Sequence, residues 1–93
     1  MLPLQNFASG VLADMIRRQP ESKARTAFAW TLAVGPAIAK VTTAELRDKV
    51  MVVWAKDPRW AREVDRSRET ILARLRLYLG PEALRDIRIL SSD

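Results

Sequence analysis

Apolar residues recur with helical spacing along the first third of the chain. One stripe predicts an amphipathic helix that ends before Pro20; it consists of Leu4, Phe7, Ala8, Val11, Leu12, Met15 and Ile16. A second helix is predicted to open near Glu21–Ser22 and to run to Val34, where Gly35–Pro36 breaks it. Its predicted apolar side consists of Ala24, Ala27, Phe28 and Leu32, with Trp30 and Val34 on an adjacent stripe.

The apolar period then changes from 3.6 to 2, which predicts strands. Residues 42–46 fit a short strand, residues 47–49 a turn, and residues 50–55 a second strand rich in β-branched side chains. In the second strand Val50, Val52 and Trp54 alternate with Met51, Val53 and Ala55, so both faces are apolar. We therefore expect this strand to be central or covered on both sides.

Asp57–Pro58 combines an N-cap residue with proline at the first helical position, and Gly80–Pro81 is a stop signal. One long helix is predicted between them, with a buried face formed by Trp60, Val64, Ile71, Leu75 and Tyr78. Residues 87–90 fit a last strand. The order α-α-β-β-α-β predicts a single α+β domain over residues 1–93, a three-stranded sheet packed against helices.

The composition leaves little for catalysis. The sequence contains no cysteine and no histidine, which removes thiol nucleophiles, disulfides, the commonest general base and the commonest metal ligand. The carboxylate pairs Asp65–Glu69 and Glu82–Asp86 fit surface positions, with no sequence neighbour that would suit them to acid–base catalysis. We expect no enzyme activity, no cofactor and no metal. No apolar run is long enough to span a bilayer and residues 1–19 do not resemble a secretory signal, so a cytoplasmic location is expected.

Charge favours an acidic partner. The sequence contains sixteen lysines and arginines, most of them arginine, and eleven acidic residues, so the net charge is +5. Arg59, Arg62 and Arg66 share one helix face and could follow a phosphate backbone. The alternative is a solvated face held by Arg59–Glu63 and Arg66–Glu69 ion pairs.

A second basic patch brackets the break between the first two helices and consists of Arg17, Arg18, Lys23 and Arg25. These side chains either bind an anion or cap helix ends. Trp30 lies off the main stripe of its helix, so it is either a partly exposed anchor for a protein partner or a core residue. Trp54 and Trp60 fit the core, and the lack of an aromatic ladder argues against base stacking as the main mode of binding.

Several segments carry motifs in a set order. Residues 30–42 contain W-x-x-x-V-G-x-x-I-A-x-x-T, residues 46–60 contain a leucine, a turn, an alternating strand and a helix-opening tryptophan, and residues 72–80 and 87–89 contain a helix end and a final strand. In this order and spacing the motifs resemble those of the DciA family. The resemblance spans about residues 5–90. It implies a KH-like domain of a bacterial protein that recruits or loads the DnaB-type replicative helicase and can bind DNA. Trp60 matches the helix-opening tryptophan, which implies a helicase contact.

Members of that family commonly continue into a long basic extension beyond this domain, whereas this sequence ends at Asp93, which leaves open the functions that depend on such a tail. The leading hypothesis is a helicase-recruiting, DNA-binding accessory protein of replication. Two alternatives stay open. One is a KH-like RNA-binding module. The residues that follow Gly35 do not form the G-x-x-G clamp of such modules, which argues against this alternative. The other is a homodimeric adaptor without nucleic acid, joined through Met51, Val53 and Leu90 on a sheet face away from the helices.

Overall fold

The computed structural model describes residues 11–91, and these form helices on one side of a three-stranded sheet. Helix α1 covers residues 11–18 of the described chain. The other elements are α2 (Lys23–Val34), α3 (Pro36–Ala39), β1 (Thr42–Arg47), β2 (Val50–Ala55), α4 (Pro58–Arg66), α5 (Arg68–Leu79) and β3 (Asp86–Ser91). The predicted α+β class and element order are confirmed. Leu4, Phe7 and Ala8 of the predicted first stripe lie outside the described residues.

The sheet has the order β1-β2-β3, so the predicted central position of β2 is confirmed. Strands β1 and β2 are antiparallel, with Thr43 opposite Trp54 and Arg47 opposite Val50. Strand β3 returns through α4 and α5 and pairs with β2 in parallel, with Leu90 beside Trp54. A parallel neighbour requires such a crossover, which explains why helices intervene between β2 and β3.

Local signals in the sequence set the helix ends. The Ser22 hydroxyl accepts a hydrogen bond from the Arg25 amide (3.0 Å) at the start of α2, and the Asp57 carboxylate accepts one from the Trp60 amide (3.1 Å) at the start of α4. Gly35 (φ 89°) and Gly80 (φ 107°) end α2 and α5 in backbone conformations that side chains disfavour. The predicted boundaries at these four positions are confirmed.

The predicted long helix is interrupted. Ser67 leaves the helical conformation (φ −101°, ψ 14°) and separates α4 from α5. Its amide bonds to the carbonyls of Val64 and Asp65 instead of Glu63, a local tightening of the turn. The prediction of one continuous helix was wrong because serine is a weaker break signal than glycine or proline, and residues 59–79 contain neither.

Helix α2 packs through a different face from the predicted one. Its buried side chains are Thr26, Ala29, Trp30 and Ala33, whereas Phe28 is 51% exposed and Ala24 and Ala27 face solvent. In α1, Ala13 and Ile16 are buried, and Val11, Leu12 and Met15 are exposed. The core therefore takes the small residues of α2, which allow its backbone to approach α5 and β1 closely.

The two faces of β2 are unequal. Met51, Val53 and Ala55 are almost completely buried beneath the helices, and Val50, Val52 and Trp54 are only half-buried. The expectation that Met51 and Val53 lie on a dimer-forming face away from the helices was wrong: both side chains are in the core cluster with Val64, Leu75 and Ile87. Leu90 is 37% exposed and lies on the opposite face of the sheet, where it is the register partner of Trp54.

Candidate functional surfaces

The arginine row of α4 lies at the surface. Arg59, Arg62 and Arg66 are all exposed, and Val64 on the opposite side of the helix is buried. The ion pairs anticipated for Arg59–Glu63 and Arg66–Glu69 are not those found: Arg66 instead pairs with Glu63 at 3.3 Å. Among the ion pairs of residues 11–91, none involves Arg59 or Arg62. The structure thus places two unengaged guanidinium groups on one helix face.

The patch around the α1–α2 break is used mainly within the fold. Arg17 donates to the Leu77 carbonyl (2.6 Å) and Arg25 donates to the Leu79 carbonyl (3.3 Å), so two preceding helices cap the C-terminal turn of α5. Arg17 and Arg18 also pair with Asp14, at 3.4 and 3.0 Å. Lys23 is exposed. Arg17 and Arg25 therefore satisfy carbonyls at the negative end of the α5 dipole. Helix capping was one of the two roles expected for this patch, but the helix that is capped is α5 and not α1.

Three further arginines cap backbone carbonyls. Arg74 donates to the Ala33 carbonyl at the end of α2, Arg76 to the carbonyls of Leu84 and Arg85, and Arg68 to the Ile87 carbonyl of β3. A guanidinium group presents five hydrogen-bond donors, which allows one arginine to bind carbonyls of a neighbouring element. Part of the arginine surplus therefore holds the fold together and is unavailable to a partner.

Two tryptophans are candidate anchors for a protein partner. Trp30 is 3% exposed, and its indole N–H donates to the Thr42 hydroxyl at 2.8 Å, so the expected partial exposure was wrong. The reason is that α2 turns its Trp30–Ala33 side, not its Phe28 side, towards the core. Trp60 is half-buried in the first turn of α4, between the exposed Arg59 and the half-buried Ala61. Of the two, only Trp60 is partly exposed.

The sheet face opposite the helices was considered from the sequence only as a dimer interface, and of the three residues then assigned to it only Leu90 lies there. We call it the open face; its residues in the described strands are Thr43, Glu45, Arg47, Val50, Val52, Trp54, Asp86, Arg88 and Leu90, all at least partly exposed. Above it, the Arg47 guanidinium lies 5.4 Å from the centre of the Trp54 ring. The alternation of side chains in β2 indicated two faces. Because both faces are apolar, the sequence did not show which of them the helices cover.

An unforeseen surface is apolar and lies between α1 and α2. Leu12, Met15 and Phe28 border a depression of about 300 Å³, with Arg25 at its margin. Met15 is 53% exposed and Phe28 51%. Exposed apolar groups this large and this close together are typical of contact surfaces between proteins.

The described chain offers no site for a metal ion: residues 11–91 hold no cluster of three histidine, cysteine or acidic side chains placed to bind one. None of the helices over the same residues is both long and apolar enough to cross a bilayer.

Comparison with known proteins identifies the family. The model of the DciA family, described as "Dna[CI] antecedent, DciA", matches residues 3–89 of the 93. The chain belongs to the DciA family. Membership of the DciA family fits a role in helicase loading, and the match covers every described element up to β3. No curated protein matches the chain.

Proposed function

We propose that this DciA-family domain is a cytoplasmic accessory protein of DNA replication that recruits the DnaB-type replicative helicase and contacts DNA. The observation that carries the proposal is the family match over residues 3–89. The α-β-β-α-β order is compatible with the KH-like architecture that the resemblance implies. The three glycines of the sequence, Gly10, Gly35 and Gly80, are too far apart for the G-x-x-G clamp of RNA-binding KH modules, which favours the helicase role over the RNA-binding one.

In this proposal Trp60 anchors the helicase. Its backbone is fixed by the Asp57 cap and Pro58 at the start of α4, so the backbone at this position loses little conformational freedom on binding. Exposed Arg59 precedes it in the same helical turn, and tryptophan and arginine are both enriched among the residues that dominate interface energies.

A pull-down of the replicative helicase by the full chain tests this role. Trp60→Ala should weaken capture by at least tenfold, because truncation of a central anchor costs about 2 kcal/mol or more. Phe28→Ala is the matched control, since it truncates an exposed aromatic residue on α2. Far-ultraviolet circular dichroism and thermal melting of both variants check that the fold is retained.

Failure of the wild-type chain to capture the helicase would overturn the proposed function. If Phe28→Ala abolished capture and a folded Trp60→Ala did not, the helicase would instead dock on the apolar depression between α1 and α2, and the assignment to Trp60 would be wrong.

DNA contact is assigned to α4. Arg59 and Arg62 are exposed and outside the ion pairs of the described chain, and the Arg66–Glu63 pair is exposed and therefore weak enough for a phosphate to replace Glu63. Arg17, Arg18, Lys23 and Arg25 contribute less, because Arg17 and Arg25 already bind backbone carbonyls. Phosphate binding by the α4 row is expected to be independent of sequence.

Salt titration of DNA binding measures the α4 contribution. Replacing Arg59 and Arg62 together by alanine should lower the slope of log K against log salt by about 0.9 for each duplex phosphate that the protein no longer neutralises. The double change Arg18→Ala with Lys23→Ala removes the same charge from the other patch and should alter the slope less. A larger change of slope in the Arg18→Ala, Lys23→Ala variant than in the Arg59→Ala, Arg62→Ala variant would show that DNA contacts the α1–α2 patch and not α4.

A further inference from the structure

The open face combines an aromatic ring with cations. Trp54 lies at the C-terminal end of β2 and is half-buried, with the Arg47 guanidinium stacked near it at 5.4 Å. The Arg47 side chain is also tied to Glu45 at 2.9 Å, but the two side chains are 61% and 41% exposed. An exposed pair of this kind is held weakly, so Arg47 can move aside or remain stacked as a ligand arrives.

A shallow basic depression adjoins Trp54. It has a volume of about 380 Å³ and is bordered by Trp54, Thr43 and the lysines Lys40 and Lys56, with no acidic residue among its lining. The α4 row begins three residues beyond Lys56, at Arg59. A surface with two cations, a hydroxyl group and an aromatic ring has the chemistry to take a phosphate beside a stacked base.

The opposite end of the open face is also cationic. A shallow depression of about 720 Å³ is floored by Val50 and Val52 and bordered by Arg47, Arg68, Arg85 and Arg88. Two acidic residues, Asp48 and Asp86, line the depression with the four arginines, and Asp86 pairs with Arg68 at 3.0 Å. Glu45, on the same face, pairs with Arg47 at 2.9 Å. Cations therefore border the stacking position on both sides along the sheet.

We propose that the open face binds single-stranded DNA, with one base stacked at the Trp54–Arg47 pair and the flanking phosphates held by Lys40 on one side and Arg88 on the other. The choice of DNA over RNA rests on the proposed role in replication. Unpaired strands are required, because a base stacks on a protein ring only when its own face is free.

Fluorescence anisotropy with a labelled oligodeoxythymidine of about twelve nucleotides tests the proposal on the full chain. Trp54→Ala should weaken binding by roughly 5- to 100-fold, the loss expected for one stacked base. The slope of log K against log salt should remain at the wild-type value, since every phosphate-binding cation is kept. Trp54→Phe, which keeps an aromatic ring, should recover most of the affinity, and binding to a duplex of the same length should be unaffected by either change.

Each other outcome overturns the proposal. Equal affinities of wild type and Trp54→Ala for the oligonucleotide, with duplex binding intact, would remove the sheet from DNA binding and leave the α4 assignment standing. A stronger wild-type affinity for oligouridine than for oligodeoxythymidine would assign the face to RNA. A sedimentation shift from dimer to monomer in Trp54→Ala, without an effect on DNA, would assign it to a second copy of the chain. Helicase capture by Trp54→Ala is measured in parallel, so that failure here is separable from failure of helicase recruitment.

Discussion

At the scale of single residues, a short chain of buried hydrogen bonds fixes Trp30. The indole N–H donates to the Thr42 hydroxyl at 2.8 Å, and that hydroxyl donates to the Ile38 carbonyl at 2.7 Å. Thr42 therefore links α2, the end of α3 and the start of β1. Because Trp30 and Thr42 are both buried, no water is available to replace either partner.

Thr42→Val should lower the free energy of unfolding by about 1–3 kcal/mol, since the isosteric methyl group leaves the buried indole N–H of Trp30 without an acceptor. The Ile38 carbonyl still accepts from the Val41 amide at 3.1 Å. Urea denaturation followed by circular dichroism measures the change. Thr43→Val is the matched control on the neighbouring exposed position and should stay within about 0.5 kcal/mol of wild type. Equal midpoints for the two variants would contradict the role given to Thr42.

Residue exposure in α2 is where sequence reasoning failed. The helix KARTAFAWTLAV carries small and apolar residues on most of its circumference, so two stripes were nearly equivalent. The structure buries the stripe that contains Thr26 and Trp30 because hydrogen bonding by Thr42 and close packing of Ala29 and Ala33 outweigh burial of Phe28. Which face of α2 is buried depends on contacts with residues distant in the sequence, and the helical periodicity of α2 carries no information about those contacts.

At the scale of elements, the signals with a local mechanism were predictable. The Ser22 and Asp57 caps, the Gly35–Pro36 break and the Gly80 stop act through neighbouring backbone atoms, and each stands where the sequence placed it. The β1–β2 turn was also expected. It is built from Asp48 (φ 50°) and Lys49 (φ 64°), both left-handed, the geometry that suits a two-residue hairpin.

Lys49→Gly should raise the free energy of unfolding by about 0.5–1 kcal/mol, because glycine adopts a positive φ without the steric cost that lysine carries. The hydrogen bond from the Arg85 amide to the residue-49 carbonyl (2.7 Å) is retained, since it involves backbone alone. Lys40→Gly provides the opposite case: Lys40 has a right-handed φ of −67°, so the same substitution should destabilise by about 0.5–1 kcal/mol. Thermal and urea unfolding of the pair should give shifts of opposite sign, and shifts of the same sign would contradict the turn geometry.

At the scale of the whole molecule, the net charge of +5 overstates what a partner can reach. Arg17, Arg25, Arg68, Arg74 and Arg76 each donate to a backbone carbonyl, so composition alone could not separate structural from accessible cations. The open face could not be predicted for a related reason. Alternation in β2 shows that the strand has two apolar sides, but the side covered by helices is set by the crossover through α4 and α5 and not by the strand itself.

The cap that Arg68 places on β3 has a further consequence for the behaviour of the protein at high concentration. Strand β3 lies at the edge of the sheet, and unpaired backbone acceptors on an edge can template pairing with another chain. Arg68 occupies the Ile87 carbonyl and holds the charged Asp86 beside it, with Arg88 next along the strand. A strand edge blocked by a guanidinium group and lined with charges resists pairing with another chain, so β3 is protected against edge-to-edge aggregation.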